Sequence, residues 1–232
     1  MKNILYILIL CSLFFSCKNS KTLTDVLNKS EFTNSEKQDI VKMVEFFESK
    51  IVSSEANFKQ DYEAFVKSVY QNGYEVILSK IDINEQRKLT KGISNSTFNE
   101  IWEISKSRAY MSYSEVKFEE PIAYESLSIN TQGKYVRLLQ KISKSNKKIE
   151  HYTNAMLNSG DFPLFTYTFN LVFDSYGNAS GDISNGEFRI IFALELLTIN
   201  ENTNRHISLG EQGKLILLYL KLSASSFHSM LL

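Results

Sequence analysis

This chain has three histidines, whose side chains could bind a metal ion or act as an acid or a base. They are His151, His206 and His228; no two of them are four residues apart and none lies near a cysteine. Zinc requires three or four converging ligands. The sequence therefore predicts no metal site, with His151 on a helix surface and His228 in solvent.

The loop from Tyr176 to Glu187 has the spacing of a calcium-binding loop. If Gly181 is the sixth position, Asn178 is the third, Ser180 the fifth and Glu187 the twelfth, as in an EF-hand. Tyr176, however, occupies the first position, where aspartate is usual. We interpret the loop as a turn between core segments and predict neither a metal nor another cofactor.

Contiguous catalytic motifs are missing from the sequence. Ser145 and Lys148 have the Ser-x-x-Lys spacing of penicillin-recognising enzymes, but the companion motifs Ser-Asp-Asn and Lys-Thr-Gly are absent. The acid pairs Glu119–Glu120 and Asp61/Glu63 are typical of a surface, and sequence spacing cannot show whether two carboxyls face each other across a cleft. The sequence favours a protein without catalysis, and it leaves open a hydrolase with a non-contiguous acid/base site.

The first seventeen residues have the layout of a secretory signal. Lys2 precedes an apolar run from Ile4 to Phe15, followed by Ser16 and Cys17. The run is about 12 residues long, whereas a helix needs roughly 20 to span a bilayer. The small residue Ser16 directly before a cysteine resembles the processing site of bacterial lipoproteins, although Phe14 stands where leucine is usual.

The resemblance to bacterial lipoproteins implies a signal peptide over 1–16 and a lipidated Cys17, carrying palmitate or similar chains. Several acyl chains hold a protein on a membrane far more firmly than one. The segment from Lys18 to Lys21 lacks the acidic cluster of some surface lipoproteins, which favours an outer-membrane anchor facing the periplasm. The alternative is an ordinary signal peptide, cut elsewhere or left uncleaved.

Composition excludes some partners and supports a packed core. The formal net charge is zero, which argues against nucleic acid because phosphate binding needs a positive excess. The only cysteines, Cys11 and Cys17, leave no internal disulfide for the mature chain. A hydrophobic content of 43% and an aromatic content of 12% are enough for a sizeable core.

The apolar spacing predicts a mostly α, irregular multi-helix globular domain over 34–232, after a lipidated tether over 17–33. Thr33 and Glu36 form a capping box that opens the first long helix. Further helices are expected over 58–72, 74–81, 86–93, from Thr97 to Ile104, 131–142 and 146–157. The segment from Arg108 to Ser128 is expected to be irregular.

Two C-terminal segments are ambiguous. Residues 164–197 alternate in a way that fits a β-hairpin, which would make the fold α+β, but apolar residues at the intervening positions favour buried helices. The tail over 206–232 is Leu- and Ser-rich and could be a final core helix.

These observations predict a lipid-anchored cell-envelope protein with a helical binding domain. The expected partner is the membrane, through the lipid, and a protein is the second candidate partner. An immunity-type lipoprotein, which neutralises a toxin by surface complementarity, is a variant of this hypothesis, and the envelope hydrolase is the alternative from another class.

Overall fold

The computed structural model describes residues 21–109, 112–113, 116–117 and 122–207. Its α-helices are α1 (Leu23–Leu27), α2 (Asn34–Ile51), α3 (Phe58–Asn72), α4 (Glu75–Lys80), α5 (Ile83–Gly92), α6 (Asn95–Asn99), α7 (Lys134–Ser143), α8 (Lys147–Ser159), α9 (Phe165–Val172) and α10 (Gly186–Ile207). A 3₁₀ turn, Glu55–Asn57, precedes α3; the strands are β1 (Trp102–Ala109), β2 (Ser112–Tyr113), β3 (Val116–Lys117) and β4 (Ile122–Ile129). The fold is mostly α-helical, which confirms the predicted class.

Helix α10 is the centre of the fold. Its residues from Ile190 to Thr198 are all buried, and α1, α2 and β4 pack around it. A helix that is apolar on every side is stable only when it is covered on every side. The apolar residues at both alternating positions of 188–197 therefore form a buried helix, and the helical interpretation of 164–197 is confirmed over the hairpin.

Helices α2 and α3 form as the sequence predicts. The Thr33 hydroxyl accepts the Glu36 N–H while the Glu36 carboxylate accepts the Thr33 N–H, which completes the capping box. Phe47 of α2 is fully buried, and its ring meets those of Tyr62 and Phe65 edge to face at 5.9 Å. Helix α3 ends before Gly73, whose φ of 79° only glycine adopts readily.

A long β-hairpin corrects the prediction for the middle of the chain. The sequence pattern predicts a helix from Thr97 to Ile104 and an irregular segment over 108–128. In the structure Ser94 caps the short α6, and β1 then pairs antiparallel with β4, from Trp102↔Ile129 to Ala109↔Ile122. The pairing was missed because each strand's partner lies far along the chain, where sequence periodicity gives no signal.

The first described residues are packed against the core. Leu23, Val26 and Leu27 of α1 are buried against α10, and Phe32 is buried with them. Packing therefore begins close to Lys21, and only residues 18–20 remain between the packed segment and Cys17.

The helices after the hairpin lie close to their predicted positions. Helices α7 and α8 correspond to the predicted 131–142 and 146–157, and Gly160 ends α8 at a left-handed φ of 72°. His206 lies inside α10 and is buried, while residues 208–232 lie outside the described residues. Within the described ranges, no helix is both long and apolar enough to cross a membrane.

Candidate functional site

A buried carboxyl group, Glu195, is the strongest candidate for chemistry in the described part of the chain. It lies in the middle of α10 with no exposed surface. The Tyr152 hydroxyl of α8 donates to its Oε2 at 2.9 Å, and the Thr168 hydroxyl of α9 lies 2.7 Å from Oε1 and 2.6 Å from Oε2. Three helices thus converge on one carboxyl group.

Burial controls the charge of Glu195. Removal from water raises its pKa from 4.5 to about 8, although the hydrogen bonds from Thr168 and Tyr152 act in the opposite direction and Asp161 adds to the rise. Burial raises the pKa of Tyr135 as well, and the nearby Glu195 carboxyl adds to that rise. The Glu195 carboxyl is therefore mostly protonated at neutral pH, which is the state a general acid needs.

The surroundings of Glu195 nevertheless argue for a structural role. Its carboxyl touches side chains of the core, and a general acid must come within hydrogen-bond reach of its substrate. A neutral acid hydrogen-bonded to two hydroxyls instead joins α8, α9 and α10 inside the core. Sequence reasoning missed Glu195, but a carboxyl within the apolar run from Phe188 to Leu197 was a usable signal of burial.

An open surface groove of about 500 Å³ lies where α2 and α3 meet the start of α10. Arg189 donates two hydrogen bonds to the Glu48 carboxylate, from Nε to Oε1 at 2.6 Å and from Nη2 to Oε2 at 2.6 Å. The guanidinium also stands 5.1 Å above the centre of the Phe58 ring. Both its charge and its flat face are already occupied, so the groove offers a ligand no free arginine.

The calcium-like loop is built as a turn. Asp174 accepts the backbone N–H groups of Tyr176 and Asn178 at 2.9 and 2.8 Å, and Ser180 accepts from Lys148 at 2.7 Å. Glu187, the last position of the calcium pattern, is buried and forms an ion pair with Lys21. In the described ranges, no three His, Cys, Asp or Glu side chains converge to hold a metal.

The structure does not bring the other sequence candidates together. His151 is exposed on α8, next to the Tyr167 ring at 5.1 Å, while His206 is buried at the far end of α10. Ser145 and Lys148 bond to different carbonyls: the Ser145 hydroxyl donates to Ile142 at the end of α7, and the Lys148 ammonium donates to Leu171 of α9. Cys17, His228 and the pair Glu119–Glu120 lie outside the described residues.

The start of the packed chain is fixed to one end of α10. The Gly186 N–H donates to the Lys21 carbonyl at 2.7 Å, and the Lys21 ammonium pairs with Glu187 at 2.6 Å. A Cβ at Gly186 would lie only 2.6 Å from the Thr22 carbonyl oxygen, so the backbones touch because this residue is glycine. This contact, which we call the N-terminal lock, fixes Lys21 and Thr22 at the start of α10.

Comparison with known proteins identifies no relative, since no family model, curated protein or solved structure matches the chain.

Proposed function

We propose that this protein is a lipid-anchored cell-envelope protein, attached through Cys17, whose helical domain binds a partner protein close to the membrane. The observation that carries the proposal is the position of the N-terminal lock. Residues 18–20 separate Cys17 from Lys21, and a chain of that length reaches at most about 14 Å. An acylated Cys17 would therefore hold the locked end of α10 against the lipid surface.

The opposite end of α10 carries the hairpin. The Asn202 side chain bonds to both the N–H and the C=O of Leu127 in β4, at 2.7 and 2.8 Å. Asn202 lies sixteen residues beyond Gly186, or about 24 Å along a helix. Attachment at one end and a hairpin at the other would suit a protein that presents a binding surface away from the bilayer.

The proposal places the protein in the bacterial outer membrane, facing the periplasm. The support is the segment from Lys18 to Lys21, which contains two lysines and no acid. The hydrolase alternative gains no support from Glu195, because that carboxyl is enclosed by the core.

Replacement of the cysteine tests the anchor. Cys17→Ser should abolish palmitate labelling and either release the protein from the membrane fraction or leave the precursor uncleaved. Cys11→Ser is the matched control, because this cysteine lies in the signal and should be removed with it. Palmitate labelling and membrane retention that are unchanged in Cys17→Ser would refute the proposed anchor.

A further inference from the structure

The outer edge of β4 is closed by side chains. Asn202 bonds to both backbone groups of Leu127, and the Ile129 N–H donates to Asp161 Oδ1 at 3.2 Å. These contacts replace the hydrogen bonds that another strand would make. Nothing further can add to β4 along this stretch.

The outer edge of β1 is different. Leu127 and Ile129 direct their backbone groups away from β1, so their cross-strand partners Ile104 and Trp102 direct theirs away from β4. The same alternation turns the N–H and C=O of Lys106 outward. Among the described residues, no group bonds to the outward N–H or C=O of Ile104 or Lys106.

Solvent reaches this edge. The Ile104 side chain is 52% exposed, and Glu103 and Lys106 are exposed as well. Natural edge strands are commonly blocked by proline, a bulge or an unpaired charge. Strand β1 contains no proline or glycine, pairs residue for residue with β4, and has its Lys106 charge near Glu125 at 3.6 Å.

We propose that the free edge of β1 pairs with the β1 edge of a second copy of this chain, antiparallel and centred on Ser105. The alternation of outward backbone groups allows this register, because it sets Ile104 opposite Lys106 of the other copy and Glu103 opposite Ser107. No like charges then face each other. The chain has a formal net charge of zero, so long-range repulsion between copies is small.

The pairing joins two hairpins into one four-stranded sheet with two-fold symmetry. It involves one strand of each copy and therefore buries less than the roughly 1,200 Å² of a stable interface. A weak contact of this kind becomes populated when copies share a membrane at the same height. That last step rests on the proposed lipid anchor, whereas the strand pairing itself does not.

A single added cysteine tests the register in a Cys11→Ser background, where Cys17 is the only other cysteine. Across the symmetric pair, the two Ser105 Cα atoms would be about 4.5 Å apart, within the reach of a disulfide. Ser126 is the matched control: it faces Ser105 on β4 and shares its hydroxyl cluster, with 2.9 Å between the two oxygens. It lies one strand farther from the other copy, and its two copies are out of disulfide reach.

The experiment uses the full chain, purified and placed in phosphatidylethanolamine/phosphatidylglycerol vesicles under a mild oxidant. Ser105→Cys should give at least about fivefold more disulfide-linked dimer than Ser126→Cys, since only the former falls within disulfide geometry. Equal yields from both variants would show random collision and overturn the proposal, as would the absence of a dimer.

A second variant separates edge pairing from proximity. The Ile104 N–H points away from β4, so Ile104→Pro removes an outward donor and leaves the β1–β4 bonds in place. Adding it to Ser105→Cys should lower the dimer yield to that of Ser126→Cys while the circular dichroism spectrum is retained. An undiminished yield from a folded double variant would contradict the pairing.

The role of the anchor is tested apart from the pairing. Cys17→Ser combined with Ser105→Cys should still give the dimer in concentrated solution, and this result would hold even if the proposed anchor were wrong. A cross-linked product in cells whose mass is not twice that of the chain would show that another protein occupies the edge, and would overturn self-pairing.

Discussion

Replacing Glu195 by glutamine should remove a loss of stability that the original protein suffers as the pH rises. The folded-state pKa of this carboxyl is about 8, against 4.5 when it is free in water. The unfolded chain therefore loses its proton first, and native stability falls as the pH rises from 4.5 to about 8. At pH 7 the loss is about 3 kcal/mol, and above pH 8 it approaches about 5 kcal/mol.

Glutamine keeps the shape of the protonated acid but cannot ionise. At pH 5 the free energy of unfolding of Glu195→Gln should lie within about 1 kcal/mol of the original protein, because the hydroxyls of Tyr152 and Thr168 can still bond to the amide. By pH 9 the variant should be the more stable one, and the gap should have grown by about 4 kcal/mol.

Urea unfolding at pH 5, 7 and 9, followed by circular dichroism, measures this gap. Glu103→Gln is the matched control, because it makes the same substitution at an exposed carboxyl on β1. Parallel stability curves for Glu195→Gln and the original protein would refute the account of a buried, neutral carboxyl at the centre of the fold.

Three further experiments test the core packing, the N-terminal lock and the calcium-like loop. Phe47→Ala should lower the free energy of unfolding by about 3–5 kcal/mol in urea denaturation, because the fully buried ring leaves a cavity; a loss below about 1 kcal/mol would contradict the core assignment. Gly186→Ala should lower it by about 1–3 kcal/mol and expose Thr22 and its neighbours to proteases, because the new methyl group overlaps the backbone; unchanged protease resistance would argue against the N-terminal lock. Titration calorimetry should show no calcium affinity tighter than about 1 mM, because Glu187 is held by Lys21; tighter binding that disappears in Glu187→Gln would reveal a real site.

Sequence patterns predicted elements whose signals are local. The Thr33–Glu36 capping box and the apolar stripe through Phe47 depend on residues three or four apart, so they were visible without a structure. The helical assignment of 188–197 followed from apolar residues at both alternating positions, since a half-buried strand needs only one set.

Features that depend on distant residues were not visible in the sequence. The hairpin requires Trp102 to find Ile129, and the N-terminal lock requires Lys21 to meet Gly186. Leu23, Val26 and Leu27 have helical spacing, but nothing local shows that such a short helix is covered by α10. The hydrogen-bond partners of Glu195 also come from two other helices, although its place in an apolar run was a local signal of burial.

The distance of each end of the domain from the lipid surface tests the central claim most directly. Thr24 of α1 and Glu125 of β4 are both exposed, so Thr24→Cys and Glu125→Cys can each carry a fluorescent donor in vesicles that contain an acceptor lipid. Energy transfer should be clearly stronger from position 24, since Gly186 at the lock and Asn202 at the hairpin are separated by about 24 Å along α10. The difference should disappear in the Cys17→Ser background. Equal transfer from the two positions, or transfer that does not depend on Cys17, would contradict a domain held at its N-terminal lock by a lipid.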